Sequence, residues 1–417
     1  MKLKQIIKNE IIEILDFVQD WDNISKSRNS NHLGLLSGLT GILLVLLDCY
    51  IIDPRLIGKH KIREYLNRTF DIIENSETLM TSYCDGLAGY GCFLIKLKKS
   101  EFFTSDKKED FEVLIQIDEL LSETDEILEN QIDVFMSYDE RDILHGLIGL
   151  GIYFLERDNY NLVDKIVDYL KENSFTIEDQ IFWKKYEKYK IFTTVIDMGT
   201  AHGNASVLYF LSKVFSKNPT SQKVEKLIKG NLNFYLQNTQ RLDEIIYSYF
   251  PSMIRAEDFE NKTYTAINTR LAWCYGDLGV FNTILIIAVL IDDKEIIKDV
   301  VNKLENVAKR KLETQTGVSD AGFCHGASGN SIIFKNIYNL TGKNIFLNAS
   351  KYWIEETLKY KFKDINQIPK IGYSFPIVDT EEQNFSLLEG LSGVLFSYLS
   401  YITKNQTLTE ETLFLKF

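Results

Sequence analysis

No apolar run in the sequence is long enough to cross a bilayer. The longest, Ile42 to Ile52 around Asp48 and Val280 to Ile291 around Asn282 and Thr283, fall short of the roughly 20 residues a spanning helix needs and read as buried helices. A secretory signal is also missing. The opening segment has neither an apolar core nor a cleavage site, and its apolar residues at 3, 7, 11, 14 and 18 form the stripe of an amphipathic helix, so a cytoplasmic protein is expected. There is no basic stripe either. The 47 Lys and Arg are scattered among 59 Asp and Glu, for a formal net charge of −12, which argues against a nucleic-acid partner. Acidity would suit a cationic peptide, although solubility alone accounts for it. Five cysteines, an odd number, in a chain without export signals argue against a disulfide framework and leave reduced thiols available as ligands.

What is present is apolar and repetitive. With 45% apolar and 12% aromatic residues over 417 positions, the chain can bury a substantial core, as one large repetitive domain or two ordinary ones. A short pattern recurs seven times: a polar or small residue, Gly, two residues, a second Gly, then an apolar run. The copies are SGLTG (37–41), DGLAG (85–89), HGLIG (145–149), HGNAS (202–206), YGDLG (275–279), HGASG (325–329) and EGLSG (389–393). Only the fourth lacks the second glycine, having Ser206. Successive leading glycines lie far enough apart, from 48 residues (Gly38 to Gly86) to 73 (Gly203 to Gly276), for two helices each.

The repeat predicts an all-α fold of seven helical hairpins in which the apolar helix after each glycine pair is the inner one. Such units could stack as an open solenoid or close into an α/α toroid. Irregular spacing and the absence of polar end caps favour closure into one domain spanning 1–417. The longest interval, 203–276, and the stretch of about 172–200, rich in aromatics and Thr, read poorly as hairpins. They predict loops or short strands forming a small extension over one rim.

Aligned on the leading glycine, the preceding residues are Ser37, Asp85, His145, His202, Tyr275, His325 and Glu389, which would line one rim of a closed ring. One position earlier stand Cys84, Cys274 and Cys324. Cys274 and Cys324 belong to adjacent repeats at the same height. With His325 they make a Cys2His set, which with a water in the fourth position is a catalytic rather than structural zinc arrangement. A lone cysteine on a helical protein is more often a small buried apolar residue, and Cys49, Cys84 and Cys92 are read that way. His202, His145, Asp142, Arg270 and Tyr275, each near a glycine motif, are the polar candidates for acid and base work; His32 and His60 read as surface residues.

WCYGDLG (273–279), FCHGASG (323–329), TAHGNAS (200–206) and LLEGLSGV (387–394) together resemble the lanthionine synthetase C-like proteins, the lantibiotic cyclases, over essentially the full chain. The resemblance implies an α/α toroid and one Zn2+ per chain on Cys274, Cys324 and His325. It also implies a substrate peptide already carrying dehydroalanine or dehydrobutyrine, into which a cysteine thiol adds to close a thioether ring. By the same resemblance His202 is the acid or base of the Michael addition, Asp142 orients it, and Arg270 and Tyr275 occupy further active-site positions. The simpler alternatives are that Asp142 only caps a helix and that Arg270 is a structural ion pair. His145 matches no catalytic position and is read as rim lining.

The partners implied are a dehydrated precursor peptide with its leader, a dehydratase and an export transporter, in a complex that would hold the chain peripherally at the membrane. Two rival functions share these motifs: addition of a small thiol such as glutathione to dehydrated proteins, and a non-catalytic, zinc-stabilised peptide-binding scaffold.

Overall fold

In the computed structural model, residues 2–27, 29–187, 193–361, 373, 384–404 and 407–417 are described; residues 188–192 of the expected extension fall outside them. Seven helices begin immediately after the seven leading glycines: Leu39–Ile52, Leu87–Lys99, Leu147–Glu156, Asn204–Lys217, Asp277–Leu290, Ala327–Thr341 and Leu391–Ile402. They are buried on all sides; in the fifth, every residue from Asp277 to Ala288 is buried. A helix that is apolar all round has no face to offer water and has to be enclosed.

The enclosing layer consists of amphipathic helices, each following its inner partner: Lys59–Asn75, Lys108–Ser137, Tyr160–Glu172, Gln222–Gln237, Lys294–Val307 and Asn344–Lys359. In Lys108–Ser137, Ile117, Leu121, Leu128 and Ile132 make the buried stripe, at the spacing that puts side chains on one helix face. The seventh inner helix is covered instead by the N-terminal helix Lys2–Val18, through Ile7, Ile11, Ile14, Leu15 and Val18.

Each inner helix packs on the next, and the seventh packs back on the first. The molecule is therefore a closed α/α toroid. A belt of backbone hydrogen bonds reinforces closure at the loops entering the inner helices. The residue two before each leading glycine donates its N–H to the carbonyl of its counterpart in the next hairpin: Leu36 to Cys84 (3.0 Å), Cys84 to Leu144 (2.8 Å), Ala201 to Cys274 (3.3 Å), Cys274 to Cys324 (3.4 Å), Cys324 to Leu388 (2.8 Å) and Leu388 to Leu36 (3.1 Å). At the seventh step the Leu144 N–H turns instead to Asp142 Oδ1, 2.6 Å away.

The segment Leu408–Phe417 fills the middle of the ring away from the belt. Tyr83, Trp273, Tyr209 and Asn336 donate side-chain hydrogen bonds to the carbonyls of Thr412, Leu413, Lys416 and Leu415, and Asp48 accepts from the Leu408 and Thr409 N–H groups.

Segments on either side of the fourth hairpin form two small antiparallel sheets. Phe175–Ile177 pairs with Gln180–Phe182, and Lys185–Glu187, Thr193–Asp197 and Met253–Arg255 form a three-stranded sheet in that order. The interval 203–276, read from sequence as a poor hairpin, holds a complete one, Asn204–Lys217 with Gln222–Gln237. The irregular part is the remainder, 238–276. No helix among the described residues is long and apolar enough to cross a membrane.

Candidate active site

The belt surrounds a cavity of about 570 Å³ lined by all seven of its members and by Ser37, Asp85, His145, His202, Tyr275 and Glu389, six of the seven residues that precede a leading glycine. The glycines permit this crowding. Gly276, at φ +94°, turns the loop after Cys274 and Tyr275 through backbone space closed to most side chains. Gly329 sits so close to the preceding loop that a Cβ there would lie 1.9 Å from the Phe323 carbonyl oxygen.

Cys274 and Cys324 stand on one wall, and their sulfurs and a ring nitrogen of His325 lie within 4.8 Å of one another. Belt pairing sets the two cysteines side by side, and His325 follows Cys324 at the mouth of the sixth inner helix. The two thiols compete for a proton. A hydrogen bond from Cys324, helped by His325 and the charge of Arg270, pulls the Cys274 thiol well below the usual range against the cost of burial, while Cys324 is pushed up. His325 is raised in turn by its bond to Cys274, and its Nε2 stands 3.8 Å from Asp320 Oδ2, beyond hydrogen-bond reach. Two sulfurs and one imidazole, one thiol already inclined to ionise, are a donor set that fits Zn2+.

Beside this wall lies His202. Its Nδ1 is hydrogen bonded to Asp142 Oδ2, while Asp142 Oδ1 accepts from the Leu144 and His145 N–H groups at 2.6 and 2.9 Å. Asp142 thus shapes its own turn and reaches across to His202 at the one step where the belt is unpaired. Burial opposes charge on His202, but the hydrogen bond and charge of Asp142 outweigh it and raise the imidazole above its ordinary range. Asp142 itself is held below the usual carboxylate range despite burial, chiefly by His202.

The ring of Tyr275 lies 6.1 Å from that of His202, and its hydroxyl donates to Asp197 Oδ2 at 3.0 Å. Burial and the adjacent Asp197 push the phenol far up, so it remains a donor. Arg270 is exposed, outside the cavity lining, and acts on the thiols through its charge.

Reading the sequence missed Asp197. It is 2% exposed, sits at the end of Thr193–Asp197, and binds Lys185 Nζ at 2.7 Å as well as Tyr275; the only sequence signal was a carboxylate five residues before His202. His32, read as a surface residue, is half-buried and meets Ser37 Oγ at 3.3 Å. Cys84 is buried as expected, yet it lines the cavity rather than the interior of the helical layers, where Cys49 and Cys92 lie.

The nisin biosynthesis protein NisC of Lactococcus lactis subsp. lactis is 24% identical over 355 residues, 79% of each chain. The structure of nisin cyclase superposes with a TM-score of 0.72 at 18% identity, covering 99% of this chain and 98% of that one, and so shares the fold. The family model for lanthionine synthetase C-like protein matches residues 107–415, a span holding four complete hairpins and every candidate residue from Asp142 to His325, and the chain belongs to that family.

Proposed function

We propose that this protein is a zinc-dependent lanthipeptide cyclase that adds cysteine thiols of a dehydrated precursor peptide to its dehydroalanine or dehydrobutyrine residues, forming lanthionine and methyllanthionine rings. The observation that carries this reading is that Cys274 and Cys324, clustered with His325, line the same cavity as His202, whose Nδ1 is held by Asp142.

A zinc ion held by the three ligands would supply acidity to a substrate thiol, so that the thiolate nucleophile exists at neutral pH. The rest falls to the protein's own side chains. As sulfur bonds to the β-carbon, the electron pair of the C=C bond moves onto the neighbouring carbonyl as an enolate, and the α-carbon then takes a proton. Asp142 holds His202 by Nδ1, which leaves Nε2 for substrate. Because Asp142 raises the His202 pKa, the imidazolium is available to stabilise the enolate and protonate it. The thiol loses one proton and the α-carbon gains one, so the addition consumes nothing else.

Tyr275, with its hydroxyl committed to Asp197, flanks His202 and restrains its ring. Arg270 contributes positive charge from the rim. The precursor's leader, the dehydratase and the export transporter are the partners this reading assigns.

Purified protein should contain about one tightly held zinc per chain by elemental analysis, lost in Cys324→Ala with the helical signal intact. Full cyclisation of a dehydrated precursor by metal-free protein would overturn the proposal.

A further inference from the structure

The belt brings three donors together a second time. Cys84, Asp85 and His145 present ligand atoms that all lie within 4.8 Å of one another, as do those of Cys274, Cys324 and His325. Their register is alike. The first cluster draws on belt cysteines and a residue before a leading glycine from two adjacent hairpins. The second draws on the belt cysteine Cys84 and the residues before Gly86 and Gly146, again from two adjacent hairpins.

Asp85 Oδ2 is 3.2 Å from His145 Nδ1, close to the separation of two ligands held about 2 Å from one tetrahedral ion. Cys84 is 5% exposed and lines the cavity. Ser37 donates to Asp85 Oδ1 and is itself 3.3 Å from His32 Nδ1, the outer hydrogen bonding that typically aims a ligating carboxylate. The cyclase reaction described above uses none of these residues.

We propose that Cys84, Asp85 and His145 form a second cavity site for a thiophilic divalent cation of the zinc type. Sulfur, carboxylate oxygen and imidazole nitrogen are its three protein ligands, the Cys84 thiol giving up its proton on binding. With one thiolate instead of two, and a histidine whose side chain is 46% exposed, this site is the weaker of the pair and exchanges its metal more readily. It does not depend on the first site being a zinc centre.

Equilibrium dialysis of the full chain against Zn2+, with bound metal counted by elemental analysis, tests the proposal. The wild type should reach two equivalents. His145→Ala and Asp85→Asn should each weaken the looser equivalent by at least about tenfold and spare the tighter one, and Cys324→Ala should do the reverse. Because His145 is half exposed, its alanine variant decides the matter even where a Cys84 variant fails to fold. A single equivalent in the wild type, or a second that survives both substitutions, overturns the proposal. Loss of one equivalent in His145→Ala with none lost in Cys324→Ala would uphold this site and defeat the zinc reading of the other.

Discussion

At the scale of single residues, Asp142 has two readings that turn out to be compatible. It caps its own turn through Oδ1 and holds His202 through Oδ2, because the belt lacks its usual backbone bond at that step. His202→Ala should keep its zinc yet lose about 100- to 10,000-fold in turnover, the ordinary contribution of a positioned acid or base. The pH dependence separates acid from scaffold. The His202 pKa is raised, so its protonated form persists upward from the usual imidazole range and is lost as pH climbs through the raised value; kcat should fall there. In Asp142→Asn that fall should move to lower pH, as measured by thioether formation across a pH series. An unmoved alkaline limb would remove the pair from proton transfer.

At the scale of elements, the glycine pair is what lets a loop, a helix start and a neighbouring hairpin share one place. Gly329 and Gly342 provide a matched comparison. A Cβ on Gly329 would strike the Phe323 carbonyl, one residue from Cys324, whereas Gly342, at φ +68°, has nothing within 4 Å of such a Cβ. Gly329→Ala is expected to cost about 1–3 kcal/mol through overpacking and to lower zinc content and activity by shifting the Cys324 loop. Gly342→Ala should cost about 1–2 kcal/mol through backbone strain alone and leave both unchanged. Urea unfolding with elemental analysis of each variant checks the contrast. The same packing logic made the inner helices legible in sequence: a glycine pair followed by an unbroken apolar run has no amphipathic alternative. The two small sheets were not legible at residue level, since strands of three to five residues such as Lys185–Glu187 carry too little alternation to be distinguished from loop.

For the whole molecule, the ring is held at one end by the belt and at the other by a buried ion cluster. Lys213 lies 2.9 Å from both Glu156 and Glu411, and Lys96 lies 2.7 Å from Glu411, joining the second, third and fourth inner helices to the C-terminal segment. Burial opposes ionisation of both glutamates, but the two lysines prevail and bring each down to about 2. The stabilisation is therefore complete above the unfolded glutamate value of 4.5 and is lost as pH falls from there toward about 2. Lys213→Ala leaves Glu411 with Lys96 and Glu156 with the more exposed Lys99, 3.1 Å away, and should destabilise by about 1.5–3 kcal/mol, the range for hydrogen bonds to charged groups. Its acid unfolding midpoint should move to higher pH, followed by circular dichroism; an unchanged midpoint would mean that the cluster is not what fails in acid.

By itself the sequence determined the all-α character, the seven repeats and the rim register of Cys274, Cys324, His325 and His202, because glycine spacing and apolar runs are local properties of the chain. Three features were decided only by tertiary structure. The N-terminal helix covers the last inner helix, Asp197 joins Tyr275 to Lys185, and Cys84 faces the cavity beside Asp85 and His145. Each depends on contacts between segments far apart in the chain, and no local pattern specifies which loop a buried carboxylate or thiol will meet once the ring closes.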